Sequence, residues 1–123
     1  YAPYPAGFFD LIQYVSDRYD QVDIYITENG FAARNLDDEE KDCDDQERIM
    51  YIREHLRVMA RLIRAGYTNL KGYYYWNDAD SYEELDGYNL RFGLTYVDHE
   101  TGQRRWKKSR YYYAEVCKNR MVN

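Results

Sequence analysis

Apolar residues fall at three- and four-residue intervals from Phe8 through Phe9, Leu11, Ile12 and Val15 to Tyr19, behind Pro5 and Gly7. That spacing places one apolar stripe on a helix of about three turns. The period then shortens: Val22 to Thr27 reads VDIYIT, β-branched and aromatic, and predicts a strand with the turn signal Asn29-Gly30 directly behind it. Glu28 therefore falls at a strand's C-terminal end. From Phe31 to Asp45 periodicity disappears into an acidic run (Asp37, Asp38, Glu39, Glu40, Asp42, Asp44, Asp45), which reads as a solvated loop. Helical spacing resumes at Ile49, Ile52, Leu56, Met59, Leu62 and Ile63 and stops at Gly66.

Leu70 to Trp76 (LKGYYYW) predicts a second strand, followed by a long polar loop from Asn77 to Gly93 with no helical period. Loops of that length in small domains are functional or disordered. Leu94 to Asp98 is a candidate short strand running into the turn His99-Glu100-Thr101-Gly102. Tyr112, Tyr113, Val116 and Arg120 give Ser109 to Met121 the period of a last helix. Strands alternating with helices at this spacing imply parallel pairing through helical crossovers, with both sheet faces in need of cover. The fold class predicted is α/β: part of a (β/α)₈ barrel with two main parallel strands, three helices and a short extra strand or hairpin. A complete barrel takes about 250 residues, and the 123 here form a single expected domain, residues 1–123, that supplies at most about a quarter to a half of one.

Composition narrows the partners. A net charge of -5 and a pI near 5.0 provide no basic face for nucleic acid or an anionic membrane. No apolar run approaches the roughly 20 residues of a membrane span, and no segment has the form of a signal peptide, so the chain reads as a soluble, cytoplasmic-type protein. It begins at Tyr1 without methionine, as a processed, trimmed or excised segment would. Cys43 and Cys117 have no metal-binding spacing and predict two free thiols. The acidic run lacks the oxygen-ligand spacing and central glycine of a calcium loop, and no metal or cofactor is expected. The 16 tyrosines against four phenylalanines supply much aromatic area with a polar handle.

A carboxylate just past a barrel strand faces the catalytic mouth, which makes Glu28 a candidate by position alone. Its neighbours sharpen this: Tyr25-Ile26-Thr27-Glu28-Asn29-Gly30 resembles the I/V-T-E-N-G nucleophile motif of family 1 β-glycosidases, behind Tyr4-Pro5, Gly7 and Asp10-Leu11. A second block resembles the family where its next barrel strand should be: Gly72-Tyr73, Trp76, Asp80, Glu83, Gly87-Tyr88, Arg91-Phe92-Gly93 and Tyr96-Val97-Asp98. Arg48, Tyr51, His55 and Leu56 fit the helix between the blocks, and Arg104 and Ser109 the final segment. The resemblance implies a retaining β-glucosidase or galactosidase site without cofactor. In it Glu28 attacks the anomeric carbon, with Trp76 stacking under the sugar, Glu83 bonding its outer hydroxyls and Asn29 among the substrate-binding residues. His55 reads as a packed or surface histidine rather than a catalyst.

Retaining hydrolysis needs a second carboxyl group about 5 Å from the first. The family's N-E-P acid/base motif does not occur in this sequence. Within the matched block Glu84 replaces a sugar-contacting tryptophan, Ser81 an asparagine, and Asn77 and Asp78 a serine and an apolar residue. Such changes suit solvent-exposed positions. The expectation is a barrel fragment or barrel-derived scaffold with the nucleophile and sugar-platform motifs, vestigial sugar binding and little hydrolysis of its own. The alternative is an active β-glycosidase part once complemented by the missing N-terminal barrel segment. Open strand edges also make self-association an expectation.

Overall fold

The computed structural model describes residues 3–34 and 39–123. The first helix, α1 (Pro5–Arg18), leads into β1 (Ile24–Asn29) and a two-residue strand β2 (Ala33–Arg34). A short α2 (Glu39–Cys43) precedes the long α3 (Gln46–Arg64), which Gly66 ends at φ +105, the left-handed backbone that glycine adopts freely. Then come β3 (Leu70–Tyr75), β4 (Leu90–Arg91), the β5 (Thr95–Val97) and β6 (Arg104–Trp106) pair, and α4 (Lys108–Asn119).

β1 and β3 pair in parallel, while β2 with β4 and β5 with β6 pair antiparallel. One face of the parallel pair carries the core. Ile24 and Ile26 from β1 and Tyr73 and Tyr75 from β3 pack on Ile52, Leu56, Met59 and Leu62 of α3. Ile12 of α1 and Tyr113 and Val116 of α4 close the cluster from either side, because α3 packs against both other long helices. Asn69 joins the layers where β3 begins: its Nδ2 donates to Ser16 Oγ and to the Val22 carbonyl, both at 2.8 Å. The other face of the two strands is open, with Tyr25 54% and Tyr74 59% exposed.

The three helices and two parallel strands expected from the period are present, and the extra strand is one arm of the β5–β6 hairpin. Two expectations are corrected. The acidic run is not a solvated loop throughout: α2 forms within it, and Asp42 and Asp45 are buried; Asp37 and Asp38 lie outside the described residues. The segment from Asn77 to Gly93 contains β4 and a buried anchor. Asp80 Oδ2 accepts from Arg91 at 2.9 Å, and its Oδ1 accepts from Lys107 Nζ at 3.0 Å and the Gly93 N–H at 2.9 Å. Asp42 lies 3.3 Å from Lys107 Nζ and 3.6 Å from Arg91 Nε.

Beside this group Asp45 pairs with Arg48 and accepts from the Ser109 N–H at 2.8 Å, and Arg48 donates to the Arg91 carbonyl at 2.7 Å. Three carboxylates and three cations thus balance in the interior, as buried charges require. Burial raises the Asp42 carboxyl above its usual range despite Lys107, and burial together with Arg48 lowers the Lys107 ammonium. The acidic run, the long loop and the start of α4 are held together here.

Candidate active site

Four sequence candidates gather at the C-terminal ends of β1 and β3, and local geometry explains how. Ile26 pairs with Tyr73 and Asn29 with Tyr75, so Thr27 and Glu28 together stand opposite the single residue Tyr74. The extra residue is a bulge, which re-aims side chains and shifts the alternation. Thr27 and Glu28 are both exposed in consequence, while Asn29 returns to the half-buried side.

Asn29 is gripped at both ends of its amide. Its Nδ2 donates to Tyr51 Oη at 3.0 Å, and Tyr73 O–H donates to its Oδ1 at 2.8 Å. Burial pushes both phenols above their ordinary range, Tyr73 the further, so they remain neutral donors and acceptors. Tyr51 in turn stacks on His55 with ring centroids 4.0 Å apart. His55 Nδ1 lies 2.8 Å from the Tyr51 carbonyl, an acceptor, so this nitrogen carries the proton. His55 is a packed residue, buried with Phe8 across its ring.

Trp76 follows β3, and its N–H donates to the Asn29 carbonyl at 3.1 Å. Trp76 is 39% exposed. A Cβ added at Gly30 would stand 2.0 Å from the Trp76 carbonyl oxygen, so only glycine allows this approach. Gly30→Ala is therefore expected to destabilise the chain by about 1–3 kcal/mol and to shift tryptophan emission as the strand ends separate; urea titration followed by fluorescence checks both.

Glu83 joins the same end through a relay: Asn77 Nδ2 donates to Ser81 Oγ at 2.9 Å, and Ser81 Oγ lies 3.5 Å from Glu83 Oε1. Mutual backbone bonds with Gly87 at 2.9 and 2.7 Å fix the turn that carries it. Of the departures in this block, Asp78 and Glu84 are exposed as expected, and Asp78 pairs with Arg110. Asn77 and Ser81 are instead half-buried and joined by that one bond, while Asn77 Oδ1 is buried without a hydrogen-bond partner.

Tyr75 completes the support, accepting from the Phe31 N–H at 3.2 Å and donating to the Phe92 carbonyl at 3.0 Å; burial pushes its phenol up to about 12. Sequence reasoning assigned no role to Tyr73 or Tyr75. Their signal was the unusual tyrosine run itself, since a buried phenol needs a partner. Among the described residues no group of three or more His, Cys, Asp or Glu could hold a metal ion, and no helix is long and apolar enough to cross a membrane. Cys117 is an exposed free thiol, and Cys43 is buried.

Burial lowers the His55 pKa below its ordinary value of 6.5. The folded chain therefore prefers neutral imidazole, and the stability this group contributes is present above pH 6.5 and lost as pH falls through its folded pKa. Asp42, raised by burial, contributes in the opposite direction. The expected result is a fall in urea midpoint with acidification whose slope is smaller in His55→Gln than in the parent chain.

Comparison with known proteins adds a consistent set of likenesses. The model of glycosyl hydrolase family 1 matches residues 1–122. A 6-phospho-beta-galactosidase of Staphylococcus haemolyticus is 41% identical over 121 residues, 97% of this chain and 26% of that protein. A 1,4-beta-D-glucan glucohydrolase of Thermotoga neapolitana is 40% identical over 115 residues, 94% of this chain and 26% of that protein. Among solved structures, the family 1 β-glucosidase from Thermotoga maritima superposes with a TM-score of 0.91 at 36% identity, over 100% of this chain and 28% of that one. That enzyme has also been solved in complex with glucoimidazole and with deoxynojirimycin. A β-glucosidase from Exiguobacterium marinum gives a TM-score of 0.84 at 38% identity, over 98% of this chain and 27% of that one. The chain thus spans about a quarter of the length of these relatives (26% of the first).

Proposed function

The chain belongs to glycosyl hydrolase family 1 and folds as part of that family's α/β barrel, and from that premise we propose that residues 1–123 form one unit corresponding to the last β/α units of the barrel. It supplies the nucleophilic half of a retaining β-glycosidase site. The observation that carries this reading is the bulge in β1, which exposes Glu28 at the strand ends next to Asn29, whose carbonyl accepts from the Trp76 backbone N–H at 3.1 Å. Glu28 forms the covalent bond to the anomeric carbon, Trp76 stacks against the sugar, and Glu83 and Asn29 complete the platform.

The acid/base carboxyl is supplied from outside this sequence, so the 123-residue chain alone hydrolyses β-glucosides feebly. Its exposed carboxylates carry no motif that marks one as a replacement. The test is turnover of an aryl β-glucoside by the purified chain beside a Glu28→Gln control, with the solution mass recorded. Absent or very slow turnover from a folded, monodisperse chain fits the reading. Brisk turnover that disappears in the control means a second carboxyl is already in place, and turnover that survives it removes Glu28 from the site.

A second reading, that the chain becomes active when joined by further barrel strands, is favoured by the open face of β1 and β3. Parallel strands are ordinarily covered on both faces, and Tyr25 and Tyr74 lie more than half exposed on the face away from the helices.

A further inference from the structure

We propose that Tyr51 and Tyr73 are positioning residues for Glu28, acting through the side-chain amide of Asn29. The inference rests on the reading of Glu28 as the nucleophile and concerns how that carboxylate is held.

Glu28 itself is exposed at the end of its strand, and a bulged residue takes its direction from what fixes the chain on either side. Upstream, Ile26 is in register with Tyr73. Downstream, the fixed point is Asn29, whose amide bonds to a phenol of α3 through Nδ2 (3.0 Å) and a phenol of β3 through Oδ1 (2.8 Å). A phenol can donate or accept, so the two hydroxyls hold the amide at both of its ends.

Both phenols are themselves anchored. Tyr51 stacks on His55 at 4.0 Å and lies against Phe31 at 5.6 Å. The Tyr73 carbonyl accepts from Tyr113 O–H at 3.2 Å, which ties β3 to α4 at this residue. The clamp thus connects the residue after Glu28 to α3 and α4, two of the three long helices of the core. Burial keeps both phenols protonated well into alkaline solution, so the Tyr73 donor does not disappear near neutral pH.

The consequence is kinetic. Removing one phenolic oxygen while keeping its ring lets the Asn29 end of the bulge shift, and misplacement of a reacting group by about 1 Å slows its reaction about 100-fold. Sugar affinity draws on Trp76 and Glu83 as well as Asn29, so it should fall less than the rate does.

The probe is 2,4-dinitrophenyl 2-deoxy-2-fluoro-β-D-glucoside. A Glu28 carboxylate oxygen bonds to C1 as the C1–O bond breaks, and dinitrophenolate leaves with the bonding pair, a stable anion that needs no proton. The chain is incubated with the probe over a range of concentrations, and intact mass and peptide mapping give the rate and place of labelling. Tyr73→Phe and Tyr51→Phe are each expected to lower the limiting labelling rate about 10- to 100-fold, a larger change than in the half-saturating concentration.

Tyr67→Phe, a phenol bonded to Gln13 at 2.8 Å on the α1 side, should label as the parent does. Should Tyr73→Phe fail to fold, Tyr51→Phe at the other end of the amide decides. Parental rates in a folded clamp variant overturn the inference while leaving Glu28 as nucleophile. A parent chain labelled no faster than Glu28→Gln overturns the nucleophile reading, and the clamp's role with it.

Discussion

Asp80→Ala should destabilise the chain by about 3–5 kcal/mol, because removing one partner leaves uncompensated charges in the interior. The carboxylate accepts from Arg91, Lys107 and the Gly93 N–H, and the side chains of Asp80 and Lys107 are fully buried. Deleting it leaves Arg91 and Lys107 with Asp42 as the nearest carboxylate, at 3.6 and 3.3 Å. A loss of this size is a large fraction of the roughly 5–15 kcal/mol that holds a domain folded, so the urea transition should move to much lower concentration. Adding Lys107→Met in the same chain should recover part of the loss, since an apolar side chain of similar length replaces the stranded ammonium. A single-variant loss below about 1 kcal/mol, the range of exposed pairs, would mean that water reaches the cluster.

That cluster is also where the sequence was least legible. α1, α3 and α4 follow from the helical spacing of their apolar residues, and β1 and β3 from short β-branched and aromatic runs, because each pattern is local to its element. Asp42 and Lys107 carry no such pattern. Asp42 read as part of a solvated run and Lys107 drew no reading, and their burial depends on Asp80 and Arg91, which meet them only after the chain has folded back on itself.

Arg48, Asp80, Arg91 and Ser109 were visible as matches to the family, but the match did not disclose that they join in one buried network. β2 and β4, with two residues each, are too short for period to reveal. Around the candidate site, the motifs placed Glu28, Asn29, Trp76 and Glu83 at one end of two strands. The bulge that exposes Glu28 and the phenols that grip Asn29 lay beyond reach, since both depend on the register of β1 against β3 and on α3 lying over them.

The largest functional effect is expected on complementation. General acid catalysis contributes about 10²–10⁴-fold where the leaving group needs a proton, and almost nothing where it departs as a stable anion. The chain alone should therefore favour a dinitrophenyl over an alkyl β-glucoside far more strongly than a complete site does. Mixing it with a polypeptide that supplies the remaining barrel strands of the Thermotoga neapolitana relative, whose matched region is 40% identical, should raise alkyl β-glucoside hydrolysis about 10²–10⁴-fold and dinitrophenyl hydrolysis much less. The open face of β1 and β3 should become covered in the same step, seen as protection of Tyr25 and Tyr74 from iodination. Both changes should appear together, and Glu28→Gln should abolish the first while leaving the second intact, because Glu28 lies at the strand ends rather than among the apolar groups of that face. Gains equal for the two leaving groups would mean that the added segment organises the sugar platform without donating a proton. Protection without any gain would leave a docked but catalytically incomplete barrel.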